Sequence, residues 1–269
     1  MKAIKTTTFL LLGIIFLSSC EKVIDIDLNE QDSQIVIEAE LEYGSSSFEV
    51  MISRTRPYFA AGQTETISDA DVRLIDASGV ETNLTLISNG RYTAPYNAQI
   101  GETYTLKVLV DGTTYTAQST MPDALPMNGL VSEYQPAFGP FTEGYAVYVN
   151  FNDPAGVENY FRIKHSWNGI EQTEGSDLTV DNDQLSDGSL SLYPLAAQKS
   201  FNIGDTINVR FIQIDETTYD YFSSLQDITG GGTGPAAPAA PGNPVTNWDN
   251  NALGYFSAQN PDEAMIVIQ

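Results

Sequence analysis

A chain of 269 residues, 42% hydrophobic and 10% aromatic, has room for one large β domain or two ordinary ones, and its apolar content excludes global disorder. A formal net charge of −23 excludes nucleic acid and bare anionic lipid surfaces as partners, since both would repel it. A single cysteine and a single histidine exclude an intrachain disulfide, a cysteine-rich zinc site and a histidine pair on a metal.

The chain opens as an export signal over residues 1–19. Lys2 and Lys5 supply the charged start, and Phe9 to Leu17 is a short apolar core interrupted only by Gly13. Nine residues are too few to span a bilayer as a helix, and they fit a signal-peptide core. Leu17-Ser18-Ser19-Cys20 then reads as a lipobox, an apolar residue and two small ones before the only cysteine. Small side chains admit the signal peptidase, and the Cys20 thiol accepts the lipid. Each buried methylene of an acyl chain such as palmitate contributes about 0.8 kcal/mol, so several chains hold the protein at the membrane. Loss of Lys2 and Lys5 with the signal leaves 10 basic against 35 acidic residues, a net −25. Residues 20–32, beginning Cys20-Glu21-Lys22-Val23-Ile24-Asp25-Ile26-Asp27, form an acidic tether.

From Ser33 the apolar period becomes two, as half-buried strands require. Ile35, Ile37, Ala39 and Leu41 share a face, followed by Phe48, Val50 and Ile52, then Val72 and Leu74. Tyr104, Leu106, Val108 and Val110 alternate up to Asp111-Gly112, after which Tyr115 and Ala117 resume. A two-residue Asp-Gly between alternating runs predicts a hairpin, because that turn needs positive φ. Ser78-Gly79 and Asn89-Gly90 mark further turns. About seven short strands in about 90 residues predict an immunoglobulin-like β-sandwich over residues 33–122.

Met121-Pro122 to Pro126 reads as a boundary, and residues 123–269 as a second β-sandwich-like domain with one short helix. Tyr145, Val147, Val149 and Phe151 alternate before Asp153-Pro154. Phe161, Ile163, His165 and Trp167 share the face of the next strand, which turns at Asn168-Gly169. Ile207, Val209 and Phe211 form another. Residues 216–228 predict the only helix, with Tyr221, Phe222, Leu225 and Ile228 at helical spacing. Residues 230–244 are rich in Gly, Ala and Pro and read as a mobile loop before a last strand. The fold class expected is therefore all-β.

Several of these stretches resemble a family of Bacteroidota lipoproteins known as DUF4249. They begin with Cys20 to Leu28 and continue with Ser53-Arg54-Thr55-Arg56-Pro57-Tyr58-Phe59 and Ala70-Asp71-Val72. In the second half they are Asn159-Tyr160-Phe161-Arg162, Gly204-Asp205-Thr206-Ile207 and Ile214 to Phe222. The most specific are Gly242-Asn243-Pro244-Val245-Thr246-Asn247 and Ala252 to Ala258. The resemblance implies a cell-surface outer-membrane lipoprotein acting as an accessory subunit of a TonB-dependent receptor or similar outer-membrane barrel. It carries no catalytic residues to transfer, and the second half of this chain is short for the family.

Candidate chemistry is sparse. His165 lacks the neighbours of a Ser-His-Asp triad, and beside Phe161 and Trp167 it reads as a hydrogen-bonded structural histidine. Asp181, Asp183 and Asp187 with Gly188 resemble the start of a calcium loop. The glycine falls at relative position eight instead of six, however, and no Glu closes the loop, so an exposed acidic turn is the plainer reading. Gly230-Gly231-Gly232 lacks the lysine and helix of a phosphate loop, and no nucleophile motif is present. Asn247, Trp248 and Asn250 form a polar stretch around one large aromatic. It either stacks on a sugar or anchors a partner, or the Trp caps the sandwich end. Arg54, Arg56 and Tyr58 make a second mixed patch, whose plain reading is a bent strand end. The sequence thus predicts a non-enzymatic accessory binding or assembly lipoprotein without a required cofactor. A free-standing glycan or peptide binder is the alternative.

Overall fold

The computed structural model describes residues 33–56, 62, 64–139, 142–173, 177–183, 188–195, 199–229 and 242–269. The expected signal peptide, Cys20, the tether, Tyr58, Asp187 and nearly all of the Gly/Ala/Pro-rich stretch lie outside these residues. The first eight strands are β1 (Ile35–Glu42), β2 (Ser47–Arg54), β3 (Asp71–Ile75), β4 (Glu81–Asn83), β5 (Thr85–Ser88), β6 (Arg91–Pro95), β7 (Thr103–Val110) and β8 (Thr113–Thr120). The second group is β9 (Met127–Gln135), β10 (Gly144–Asn152), β11 (Tyr160–Trp167), β12 (Ile170–Glu171), β13 (Thr179–Asn182), β14 (Leu190–Pro194) and β15 (Thr206–Ile214). The helix α1 (Glu216–Thr229) and the long strand β16 (Leu253–Val267) close the chain.

The protein is all-β apart from α1 and a few short turns, and it is built as two sandwiches. In the first, the β4-β3-β7-β8 sheet packs on the β16-β1-β2-β6-β5 part of a nine-stranded sheet. The alternating residues read from the sequence fill this core: Ile37, Leu41, Phe48, Ile52, Leu74, Tyr104 and Leu106 are almost fully buried. Each such side chain stabilises the fold by about 1.5–3 kcal/mol. Asp111 (φ 50°) and Gly112 (φ 79°) turn β7 into β8 with both residues at positive φ, as a two-residue hairpin needs. Asn168 (φ 50°) and Gly169 (φ 81°) do the same between β11 and β12. In the second sandwich the β14-β10-β9 sheet faces the β11-β15-β16 part of the large sheet. Phe151, Phe161 and Phe211 stack there with ring centroids 4.9–5.5 Å apart. The helix lies on the opposite face of the large sheet, with Tyr221 and Phe222 against Tyr255, Ile212 and Ile214.

One strand joins the two sandwiches. Residues 253–259 of β16 run parallel to β1, from Leu253 beside Val36 to Gln259 beside Glu42. Residues 260–267 then pair antiparallel with β15. Pro261, which cannot donate to a ladder, falls just past the end of the β1 pairing, where a proline is tolerated. The expectation that all of 123–269 forms a separate second domain therefore needs correction. Trp248, Ala252, Phe256 and Ala258 belong to the first core, so the first sandwich takes the strand beside β1 from residues 253–259.

Asp215 makes a second joint. As the N-cap of α1 it accepts the Thr218 N–H at 3.0 Å with one carboxylate oxygen. Its other oxygen accepts the Ser119 hydroxyl at 2.8 Å and the Thr120 N–H at 2.9 Å from β8. Ser119 in turn accepts the Ala258 N–H at 2.7 Å. Helix, first sandwich and shared strand thus meet on one carboxylate.

The close approach of β16 to β1 depends on Gly254. It holds φ +89°, and a Cβ there would stand 2.2 Å from the Ile37 carbonyl oxygen. We expect Gly254→Ala to lose at least ~3 kcal/mol of stability, from the unfavourable φ and the displaced strand together. Gly79→Ala, with a similar φ of +84° but open space around it, is expected to lose only about 1–2 kcal/mol. Urea unfolding of both variants checks this; equal losses would mean that the close approach does not matter.

Candidate functional site

The alternation that buries Ile37, Ala39 and Leu41 turns Glu38, Glu40 and Glu42 onto the opposite, outer face of the large sheet. Across the ladder to β2, Glu38 faces Met51 and Glu40 faces Glu49 directly. On the other side Glu38 faces Tyr255, and Glu42 faces Gln259. Glu38, Glu40, Glu42, Glu49, Met51 and Tyr255, with Ser45, Ser47 and Arg91, line an open groove of about 430 Å³ on the outer face. Like charges opposite each other in a ladder are destabilising, so this face needs cations from elsewhere.

Those cations come from the second sandwich. Arg162 Nη1 reaches Glu40 at 3.1 Å and Lys164 Nζ at 3.2 Å. The Tyr255 hydroxyl donates to Glu40 at 2.9 Å. Arg210 bridges Glu42 at 2.7 Å and Glu263 at 2.8 Å. Gln259 donates its amide to both Glu40 and Glu42, at 3.4 and 3.3 Å. Arg162 also lays its guanidinium 3.8 Å from the Phe222 ring centroid, so α1 backs the pair with a cation–π contact. Burial would raise the Glu40 pKa, but Lys164, Arg162 and the Tyr255 hydroxyl outweigh it and hold the carboxyl down to about 2. The Lys164 pKa is lowered too, which disfavours its charged form: burial and the neighbouring Arg162 push it down against the pull of Glu40. One carboxylate is shared by two cations, so the carboxylate gains more than either cation.

Glu38 has no ion pair or hydrogen bond among the described residues. Its side chain is exposed, yet crowding by the concave surface, then the charge of Glu40, raises its pKa. The groove therefore combines an uncompensated carboxylate with Glu49, which among the described residues pairs with Arg91 alone, at 3.5 Å. Chemically it is suited to a cationic group. The Ile-Glu-Ala-Glu-Leu-Glu run displays this acidic row in the sequence, but solvated surface acids give the same pattern.

The residues singled out from sequence have other work. Trp248 is buried, 5% exposed, and donates its indole N–H to the Ile37 carbonyl at 3.1 Å. It caps the sandwich end, and a sugar-stacking surface role is ruled out. Asn247 latches two strands, donating to the Gln118 and Phe256 carbonyls at 3.2 and 2.7 Å and accepting the Phe256 N–H at 3.0 Å. Asn250 donates to the Thr114 carbonyl at 2.7 Å. Arg54 pairs with Glu65 at 3.8 Å and with Asp111, and Arg56 donates to the Gly62 carbonyl. Arg54 and Asn250 thus brace the β7–β8 hairpin from two sides.

Asp183 is buried and accepts the Asn159 backbone and amide N–H groups at 2.8 and 3.2 Å, so it is not part of an exposed acidic turn. Asp181 accepts the Asn182 N–H at 2.8 Å and interacts with the Tyr193 hydroxyl. Among the described residues no group of three or more His, Cys, Asp or Glu side chains is placed to hold a metal ion. His165 also differs from expectation. It is buried, 4% exposed, but among the described residues neither imidazole nitrogen has a hydrogen-bond partner. Burial lowers its pKa, with Asp177 opposing and Lys199 adding to the shift.

A family model described as Domain of unknown function (DUF4249) matches residues 21–264. Among curated proteins nothing matches. One similar solved structure is a segment of two fibronectin type III domains from chicken tenascin. It is 11% identical, with a TM-score of 0.24, over 88% of this chain and 99% of that one.

His165 and Glu40 set the expected acid limb of stability. His165 has a folded pKa below its ordinary 6.5, so its contribution is complete above 6.5 and declines as pH falls below it, where only the unfolded imidazole takes up a proton. Glu40 contributes fully above its ordinary 4.5 and loses that contribution as pH falls toward about 2. Thermal melts from pH 8 to pH 3 are expected to show a decline beginning near 6.5, reduced in His165→Phe. An unchanged profile in that variant would contradict the assignment.

Proposed function

We propose that this chain, which belongs to the DUF4249 family, is a lipid-anchored accessory subunit that works by contact at an outer-membrane β-barrel. The TonB-dependent receptor class fits this role best. In this reading Cys20 carries the acyl chains and holds the body at the cell surface. The observation that carries the reading is the continuous nine-stranded sheet. By sharing β16 the two sandwiches offer one stiff outer face, and a partner docking on it meets preorganised groups and orders few side chains on binding. The groove around Glu38 and Glu49 is the contact we assign to a lysine or arginine of the partner. A net charge of −25 in the mature chain adds long-range attraction for a basic partner surface.

The alternative, a free-standing glycan or peptide binder that uses Trp248 and the 230–251 loop, loses its stacking residue, because the Trp248 side chain is buried. It survives as an outcome of the test below.

A photo-crosslinking side chain at Met51, on the groove, is expected to give an adduct with a barrel protein in outer membranes. One at Val80, exposed on the β3–β4 turn, is expected to give none. Radiolabelled palmitate should label the wild type and not Cys20→Ser. Equal adducts at both positions, a Met51 adduct with no barrel in it, or an unlabelled wild-type chain would each overturn the proposal.

A further inference from the structure

The outer face of the large sheet continues past the groove along the second half of β16. There the alternation sends Glu263, Met265 and Val267 outward, and Ile266 and Ile268 toward the second core. The registers lay this part of the face out in rows. Lys164, Arg210 and Glu263 form one. Glu171, Ser166, Asn208 and Met265 form the next, and Thr206 with Val267 the one after. Arg210 joins these rows to the groove, since it holds Glu263 and also Glu42, a groove wall.

Met265 is 63% exposed and Val267 43%. A third large apolar residue, Ile203, is 71% exposed in the turn before β15. That turn is tied to the end of β16: the Gly204 N–H donates to the Ile268 carbonyl at 2.8 Å, and the Ile268 N–H to the Asp205 carbonyl at 3.0 Å. Single exposed apolar side chains are ordinary, but several together inside a polar rim mark a contact surface. Here the rim is Glu171, Asn208 and Glu263, all exposed.

Charge selects what covers this corner. Arg162, Lys164 and Arg210 are paired with Glu40, Glu42 and Glu263, which leaves Glu171 without an ion pair among the described residues. A second copy of the chain would bring another 35 acidic against 10 basic residues to an acidic face, and an anionic lipid surface would be repelled in the same way. A polypeptide with both basic and apolar side chains meets no such cost. Gln259, which stands beside Glu42, and Met265 are six positions apart on β16, roughly 20 Å of strand. An extended segment of about seven residues covers that span. We infer that Met265, Val267 and Ile203 form an apolar anchor for the same partner whose lysine or arginine enters the groove. The contacting segment of that partner is then extended, basic at one end and apolar at the other. The anchor rests on the groove contact proposed above and adds the second end of its footprint.

The test uses the full chain in outer membranes. A photo-crosslinking side chain at Met265 is expected to give an adduct with the same barrel protein that Met51 reaches. Met265→Ser and Val267→Ser, made together, are expected to lower the Met51 adduct yield about ten-fold at limiting partner, because the apolar burial is gone. A Met51 adduct with none at Met265, a Met265 adduct with lipid or a second copy in place of the barrel, or an undiminished Met51 yield in the folded double variant would each overturn the anchor and leave the groove contact standing. No adduct from Met51 would overturn the groove contact and the anchor with it. The two crosslinks decide the matter alone if the double variant does not fold.

Discussion

The whole arrangement depends on how closely β16 can approach β1. Gly254 lies on the Ile37 carbonyl, and the same carbonyl accepts the indole N–H of Trp248. The Thr246 hydroxyl, meanwhile, donates to the Gly254 carbonyl at 2.8 Å and accepts the Trp248 N–H at 3.2 Å. The segment ahead of β16 is thereby tied to the strand it precedes and to the strand it joins. A parallel pair cannot be closed by a short turn and needs a long crossover. Here the crossover is the whole body of the protein between β1 and β16, so the first sandwich is complete only once the second is in place.

That pairing also creates the outer-face chemistry. β16 sets the acidic row of β1 next to the basic strands β11 and β15, with Tyr255 and Gln259 as the polar bridge. Glu40 would be costly on a strand facing Glu49 alone. With Arg162 and Lys164 brought to it from more than a hundred residues away, it becomes the centre of an ion-pair network. Partly buried networks of this kind give modest net stability, because desolvation offsets much of the attraction. Their stronger effect is on geometry, since removing one member strands the others. The charges then act as a register mark between the sandwiches.

Local structure was legible in the sequence wherever it follows from local chemistry. The alternation of Ile35 to Leu41 and of Tyr104 to Val110, the positive-φ turns at Asp111-Gly112 and Asn168-Gly169, and the helix over 216–228 all correspond to observed elements. Long-range pairing was not legible. Nothing in Leu253 to Gln259 says that its partner is Val36 to Glu42, because parallel pairing across more than two hundred residues leaves no local periodicity. The candidate site was missed for the same reason. Trp248 and Asn247 look like surface binding groups in a polar stretch, and only their placement on Ile37 and Phe256 makes them structural. Glu40, Arg162 and Tyr255 lie on three separate segments, so no spacing motif could gather them.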